Sequence, residues 1–398
     1  MRDGLRVPLM PLAEWLASNW WYLTSESPPS YPVRPARDAM ASTRSWYRRH
    51  DLLFAREGFS LPDLLIARAD DERVLVQVAS DPGRSTRFPV RFVENQSVLV
   101  PKVVVESELR RLLEAVLARL EGSETADAHE LRERWSEITA LNGDDLVLRQ
   151  RAGALGLDGD CPDEVPDDLA HVLVETFGMQ PSSLVADLLE LPAAVAADTH
   201  TVSWVGEARE SIQRGTSAQA PLPASLRGRA PDARKLGENT PAHEVGWELA
   251  SGLRRDLLGL AATAHGEQLD AALGPIIQVV PDAPAATRGL RGLLRADEAL
   301  AVVLPPSAAP TRRFLGARAL CLGVLGGPER LITDAPSWSQ SVCRAFATEL
   351  IAPRAYLEKH VEGAVVSEER AEELALELNA PRRAVEHQIA NHDIARLD

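Results

Sequence analysis

The sequence is poor in the residues that most often announce chemistry. Among 398 residues there are three cysteines, Cys161, Cys321 and Cys343. They are too few and too scattered for a disulfide framework or a thiolate zinc site, which points to a reducing compartment. No stretch reaches the roughly 20 apolar residues that a bilayer span requires. The opening run MRDGLRVPLMPLAEWLASNWWYL is interrupted by Glu14 and Asn19, and no small-residue cleavage site follows, so it does not read as an export signal and the expected location is the cytoplasm. No Gly-x-Ser-x-Gly stretch, Walker-type loop or Gly-x-Gly-x-x-Gly run is present. Positive charge is short as well: 43 Lys and Arg face 58 Asp and Glu, a formal charge of −15. That balance opposes non-specific attraction to nucleic acid or anionic membrane.

What remains is an ordinary globular composition, 45% apolar and 25% charged, in a chain long enough for two or three domains. Leu12, Trp15, Leu16, Asn19, Trp20 and Leu23 recur at helical spacing around Pro11 and predict one amphipathic helix with its tryptophans in the core. RSWYRRHDLLFAREG mixes Arg44, Arg48, Arg49 and His50 with Trp46 and Tyr47. Single-stranded nucleic acid sites use such a mixture, and so does a helix with a solvated basic face. The runs LLIARA and RVLVQVA, then RFPVRFV and SVLVPKVVV, predict two hairpins of one antiparallel sheet. Ser107 is the expected cap of a helix carrying Leu109, Leu112, Leu113, Val116, Leu117 and Leu120. Residues 1–122 therefore read as a small α+β domain, residues 127–212 as a helical domain, and residues 213–239, rich in Pro, Gly, Ala and Arg without apolar period, as a flexible linker.

From Thr240 and Pro241 onward the expected order is a helix through Leu257, extended runs at 275–280 and 300–305, a helix at about 310–325 and another at 337–351 halted by Pro353. The first of the later helices, RRFLGARALCLGVLG, has the rhythm of a zinc-binding helix yet offers no histidine or carboxylate. Phe314 and Ala317 match packing positions of R-x-x-F-x-x-A-H-E-x-G-H, and Phe346-Ala347 with Leu350 and Pro353 match E-A-N-x-F-A-x-x-L-L-M-P. With Gly246, Leu249, Ala250, Leu253 and Arg254 in a leading helix, residues 240–398 resemble the ImmA/IrrE-type zinc metallopeptidases. The resemblance implies a zincin-like α+β domain with a trailing helix pair, in a chain whose overall class is α+β multidomain.

Position by position, the resemblance puts Arg318, Leu322 and Val342 where that family has its zinc ligands and Ala319 where it has its general base. Two imidazoles four residues apart and a carboxylate from the next helix make a tetrahedral site with one open corner. A guanidinium and two hydrocarbon side chains cannot. No metal, cofactor or catalytic residue is therefore expected. The implied role is that of a pseudoenzyme binding a protein or peptide partner, a repressor or a component of a bacterial stress or phage response.

Two alternatives stay open. One is a hydrolase with a different site: His243-Glu244 opens an H-E pair, but Trp247 stands at the fourth position, while His360, His387 and His392 lie near Glu358, Glu362 and Glu386. Cys321 and Cys343 also fall beside the former ligand positions on two helices that pack together in the family. The other is a DNA-binding regulator, since helices ending near Leu378 and running through Ile389 have helix-turn-helix proportions. Eight Asp and Glu against four Arg from Ser367 to Asp398 give that segment a net −4, and only Arg382 and Arg383 open the second helix.

Overall fold

The computed structural model describes residues 9–28, 41–57, 59, 61–69, 72–80, 92–157, 182–191, 193–196, 198–215, 241–280, 284–285, 289–296, 300–335 and 337–398. The chain is a mixed α+β protein in two compact units, one of residues 1–179 with 189–197, the other of residues 180–188 with 198–398.

In the first unit, β1 (Asp63–Arg68), β2 (Arg73–Ala79) and β3 (Gln96–Pro101) form an antiparallel sheet in that order. The register pairs Ile66 with Val76 and Val76 with Val98. Strand side chains alternate between faces, so Leu65, Ala67 and Leu75 pack with Trp46 of α3 (Ala41–His50) on one side. Ile66, Val74 and Val76 join α1 (Leu9–Ser18), α4 (Lys102–Arg119) and α5 (Ala126–Ala140) on the other.

Two expectations need correction here. The first helix is broken: Asn19 ends α1 by donating its side-chain amide to the Trp15 carbonyl (2.7 Å), and α2 (Trp20–Leu23) restarts beyond it. The helix expected from Ser107 begins at Lys102, with Pro101 at its N-cap, because Val105 extends the buried stripe of Leu113 and Val116 backward by two turns. β3 pairs directly with β2 in the described residues, and the expected partner RFPVRFV spans residues 87–93. Residues 87–91 of that run lie outside the described residues.

The expected helical domain at 127–212 is instead divided. α5 packs into the first unit through Leu131, Trp135 and Ile138, and α6 (Gly143–Ala154) accompanies it. The helix α7 (Ser183–Leu189), up to Leu188, and α8 (Thr199–Gly215) belong to the second unit. DDLAHVLVETFG at 167–178 and the expected linker beyond residue 215 lie outside the described residues.

The second unit is built on the sheet β4 (Ile277–Val280), β6 (Leu300–Val303), β5 (Leu290–Ala296) and β7 (Glu329–Thr333), ordered β4-β6-β5-β7 with only β4 and β6 parallel. Leu294, Val302 and Ile332 face α9 (Ala242–Gly252), α11 (Ala309–Leu325) and α12 (Trp338–Ile351) in one large core, beside α10 (Gly266–Leu273). Val280, Leu293 and Val303 alternate to the opposite face, where α8 lies with Val202, Trp204, Val205 and Ile212 buried. Cover on both faces explains why LAVV reads as a continuous apolar run. The unit ends in α13 (Arg354–His360), α14 (Glu368–Leu378) and α15 (Arg382–Asn391), with Asn379 in the left-handed region closing the turn between the last two.

The contact between α9 and α12 requires a glycine. A Cβ on Gly246 would lie 2.5 Å from the Val342 carbonyl oxygen and 2.8 Å from the Phe346 amide nitrogen, both backbone atoms that cannot swing away. Gly246→Ala is therefore expected to destabilise the second unit by about 1–3 kcal/mol, measured by urea unfolding. An unchanged midpoint would mean that the two helices slide apart at no cost.

Candidate functional site

α11 is buried on every side from Leu315 to Leu325, as a helix at the centre of a domain should be. The positions that the resemblance gives to zinc chemistry all lie inside: Ala319, Leu322 and Val342 are fully buried and Arg318 is 2% exposed. The Arg318 guanidinium donates through Nη2 to the Thr333 carbonyl (2.6 Å) and to Gln340 Oε1 (2.8 Å). Gln340 is itself fixed, donating Nε2 to the Leu331 carbonyl (2.8 Å) while its Oε1 accepts from the Thr333 amide (3.2 Å). Nε of Arg318 has no hydrogen-bond partner. Burial, helped by the nearby Arg344, pulls the pKa of Arg318 down to about 10, so the side chain still carries its charge near neutral pH. This donor set does not fit a divalent cation: it supplies a fixed positive charge and hydrocarbon where lone pairs are needed.

Cys321 and Cys343 come together beside this arginine, both buried and free. Burial pushes the Cys321 thiol well up, and its hydrogen bond with Cys343 adds to the shift. A thiol held protonated is a poor nucleophile and a poor ligand, so the pair behaves as packing. Cys161 lies outside the described residues. Among the described residues, no three His, Cys, Asp or Glu side chains are grouped to hold a metal ion.

The more unusual group on α12 is Glu349, one and two helical turns beyond Phe346 and Val342 on the same buried face. Its carboxyl accepts from Gln388 Nε2 (2.6 Å) and from the Arg354 amide (3.3 and 3.4 Å), with His392 Nε2 at 3.7 Å. Burial raises its pKa to about 7 against the lowering effect of those donors and of Arg254 and Arg354. His392 is shifted down, chiefly by burial, and its ring stacks against Trp247 with centroids 4.0 Å apart. Glu349 also lines a cavity of about 450 Å³ together with Arg254, Arg255, Arg354 and Glu358. Arg254 reaches it from a π-helical turn, Leu253–Leu257, a geometry often found at functional sites. Sequence reasoning named His392 and Glu358 but missed Glu349 and the role of the arginines around it. The available signal was one acidic residue at the packed positions of an otherwise apolar stretch, ATELIAP.

The sign of the Glu349 effect follows from linkage. A carboxyl raised in the folded state keeps its proton more readily there than in the unfolded chain, so stability falls as pH rises from about 4.5 to about 7 and is level above that. The loss is on the order of 3 kcal/mol. Glu349→Gln keeps an oxygen acceptor for Arg354 and Gln388 but cannot ionise. It is expected to flatten this slope and to be the more stable protein at pH 8 in thermal unfolding. A variant as pH-dependent as the parent would remove Glu349 as the cause.

The other sequence candidates have local duties. His243 stands edge-on to Trp247, and His360 stacks on Tyr356 with centroids 4.0 Å apart. His387 is exposed. Arg382, needed for phosphate contact in a helix-turn-helix reading, lies among Glu368, Glu372 and Glu386, and Arg383 alone is left uncommitted at that helix start. In the first unit Trp15 and Trp20 are half-buried against the core. Trp46 is buried there, and Arg49 and His50 are both turned onto Glu26, so the aromatic and basic mixture is largely spent internally. Comparison with family models and with curated proteins gives no match to this chain. No helix among the described residues is long and apolar enough to cross a membrane.

Proposed function

We propose that the second unit is a zincin-like, ImmA/IrrE-like scaffold without peptidase activity, which works by binding a protein or peptide. The partner class implied by the resemblance is a repressor or another component of a stress or phage response. One observation carries the reading: the side chain at the first ligand position is an arginine that is built in. Arg318 is held by a main-chain carbonyl and by an amide that is itself held twice, so it is an integral part of the β7–α12 junction. A protein that kept zinc-dependent hydrolysis would need this position for a neutral imidazole and the next for a carboxylate base. Ala319 and Leu322 instead contribute to the core, which gives the helix pair a reason to persist without the reaction.

The test has two arms. Elemental analysis of the purified chain is expected to find no stoichiometric zinc, and added zinc should give no cleavage of peptide substrates. Crosslinking in the native host followed by mass spectrometry should place a protein partner on residues 241–398. One tightly held zinc per chain would overturn the first half of the proposal, and crosslinks confined to the first unit would overturn the second.

A further inference from the structure

We propose that the cavity beside Glu349 binds a small amphipathic carboxylate, an organic acid with a short apolar body, and takes up a proton with it. The inference does not depend on the peptidase-like reading, because this cavity stands apart from Arg318 and Val342 and uses none of their atoms.

Three observations converge. The first is unmet hydrogen-bonding capacity around one carboxyl group. Arg254 is 3% exposed and spends its terminal nitrogens on the carbonyls of Leu350, Ala261, Ala262 and Ala264, yet its Nε–H has no partner. Gln388 Oε1 and His392 Nε2 are likewise buried without hydrogen-bond partners near Glu349, on residues that do not line the cavity. Buried polar groups in folded proteins are nearly always satisfied, so the unpartnered Nε–H of Arg254, a residue of the cavity wall, marks a place where an acceptor arrives from outside.

The second is charge. Arg254, Arg255 and Arg354 face the cavity. Their nearest anions are Asp256, paired with Arg255 at 2.7 Å, Glu358, paired with Arg354 at 2.6 Å, and Glu349 itself. Both pairs are solvent-exposed and therefore weak, so a ligand can displace them at little cost. With Glu349 protonated, the cluster carries one net positive charge in a chain of net −15. With Glu349 ionised it carries none. An anion therefore enters most readily when Glu349 holds its proton, and a protonated carboxyl is a good donor to a carboxylate.

The third is the wall. Leu260, Ala262 and Ala355 supply hydrocarbon beside the arginines, and the volume is that of a small-molecule pocket. A bare inorganic anion would leave this surface uncovered, whereas an organic acid of moderate size covers it.

The groups facing Glu349 from each packed element are Arg254 from the π-helical turn, Arg354 and Glu358 from α13, and Gln388 and His392 from α15 and its end. His243 acts on it through His392. Binding then reads as Glu349 carboxylate plus a proton plus the ligand carboxylate giving a carboxylic acid hydrogen-bonded to the bound anion, with no bond broken.

The test is calorimetric titration of the full chain with hexanoate and with benzoate near pH 7, in HEPES and again in Tris, whose ionisation heats differ. Submillimolar binding is expected, with heats that differ between buffers by the uptake of a fraction of a proton. Above pH 7 the affinity should fall by about tenfold per pH unit. Glu349→Gln should bind with the same heat in both buffers and lose the pH dependence. Arg354→Gln should weaken binding by about tenfold or more. Glu358→Gln, which releases Arg354, should tighten binding several-fold and keeps the test alive if the arginine variant folds poorly. Absence of heat with both acids at 10 mM, buffer-independent heats in the parent, hexylamine binding more tightly than hexanoate, or phosphate matching hexanoate would each overturn the proposal.

Discussion

Asp187→Ala is expected to cost the second unit about 3–5 kcal/mol, because it strands a buried guanidinium. Asp187 is 1% exposed on α7 and takes Arg330 in a two-pronged pair, Nε to Oδ2 and Nη2 to Oδ1, both at 2.7 Å. Its Oδ2 also accepts from the Leu331 amide at 2.8 Å. Removing the carboxylate takes away this two-pronged anionic partner, and the Gly326 carbonyl at 3.1 Å and Ser339 Oγ at 3.3 Å are neutral acceptors that do not replace its charge. The main chain of β7 loses a partner as well. Hydrogen exchange should show amides of β7 and α7 losing protection together. Asp187→Asn keeps an acceptor for Leu331 and should lose roughly half as much. Protection unchanged in the alanine variant would mean that α7 is held by its leucines alone.

This pair also shows why part of the fold was illegible in the sequence. The helices α11 and α12 stood out as long apolar-rich segments that also carry the motif resemblance, the second halted by Pro353. β6 stood out as an uninterrupted apolar run and β4 as one broken only by Gln278. β5 and β7 did not, since LRGLLRA and ERLIT interleave charges that look solvent-exposed. In the fold those charges are matched across strands and to helices: Arg295 lies opposite Glu329 and bonds to it at 2.5 Å, Arg291 meets Asp334, and Arg330 meets Asp187. Each partner is distant in sequence, so no local pattern reports it. The same limit hid the division of residues 127–212. An amphipathic helix declares that one face is covered, and Leu131 or Val202 says nothing about which sheet covers it.

The candidate sites were legible in opposite degrees. The helix pair α11 and α12 drew notice as a site only through a resemblance to a zinc-peptidase motif, carried by Phe314 and Phe346. What spacing could not supply was the role of Arg318, which depends on Gln340 and on a carbonyl of β7. Glu349 was present in the quoted motif but carried no weight there, since its environment is assembled from Arg254, Arg354, Gln388 and His392 on four separate stretches.

The largest effect in the first unit is expected from Glu26→Ala, again about 3–5 kcal/mol. Glu26 is 3% exposed and receives Arg49 through both Nε, at 2.8 Å, and Nη2. His50, fully buried and stacked on Trp46, places Nε2 3.0 Å from Oε2 and Nδ1 2.6 Å from the Ile66 carbonyl oxygen. Both ring nitrogens face acceptors, so alanine removes one of the two hydrogen-bond partners of the ring together with the carboxylate that holds Arg49. Burial alone would raise the Glu26 pKa, but the bonds from His50 and Arg49 outweigh burial and hold it below the ordinary value of 4.5. A lowered carboxyl contributes stability above its unfolded pKa and loses it as pH falls through the folded one. The first unit should therefore weaken in acid below about pH 4.5, the opposite slope to that which Glu349 gives the second. Urea titrations at pH 3.5, 5 and 7, followed by exchange protection in β1 and in α12, separate the two. In Glu26→Ala the acid slope at β1 should vanish while that at α12 persists. A parent chain whose units gain stability together on acidification would show that the Glu26 cluster carries no such charge balance.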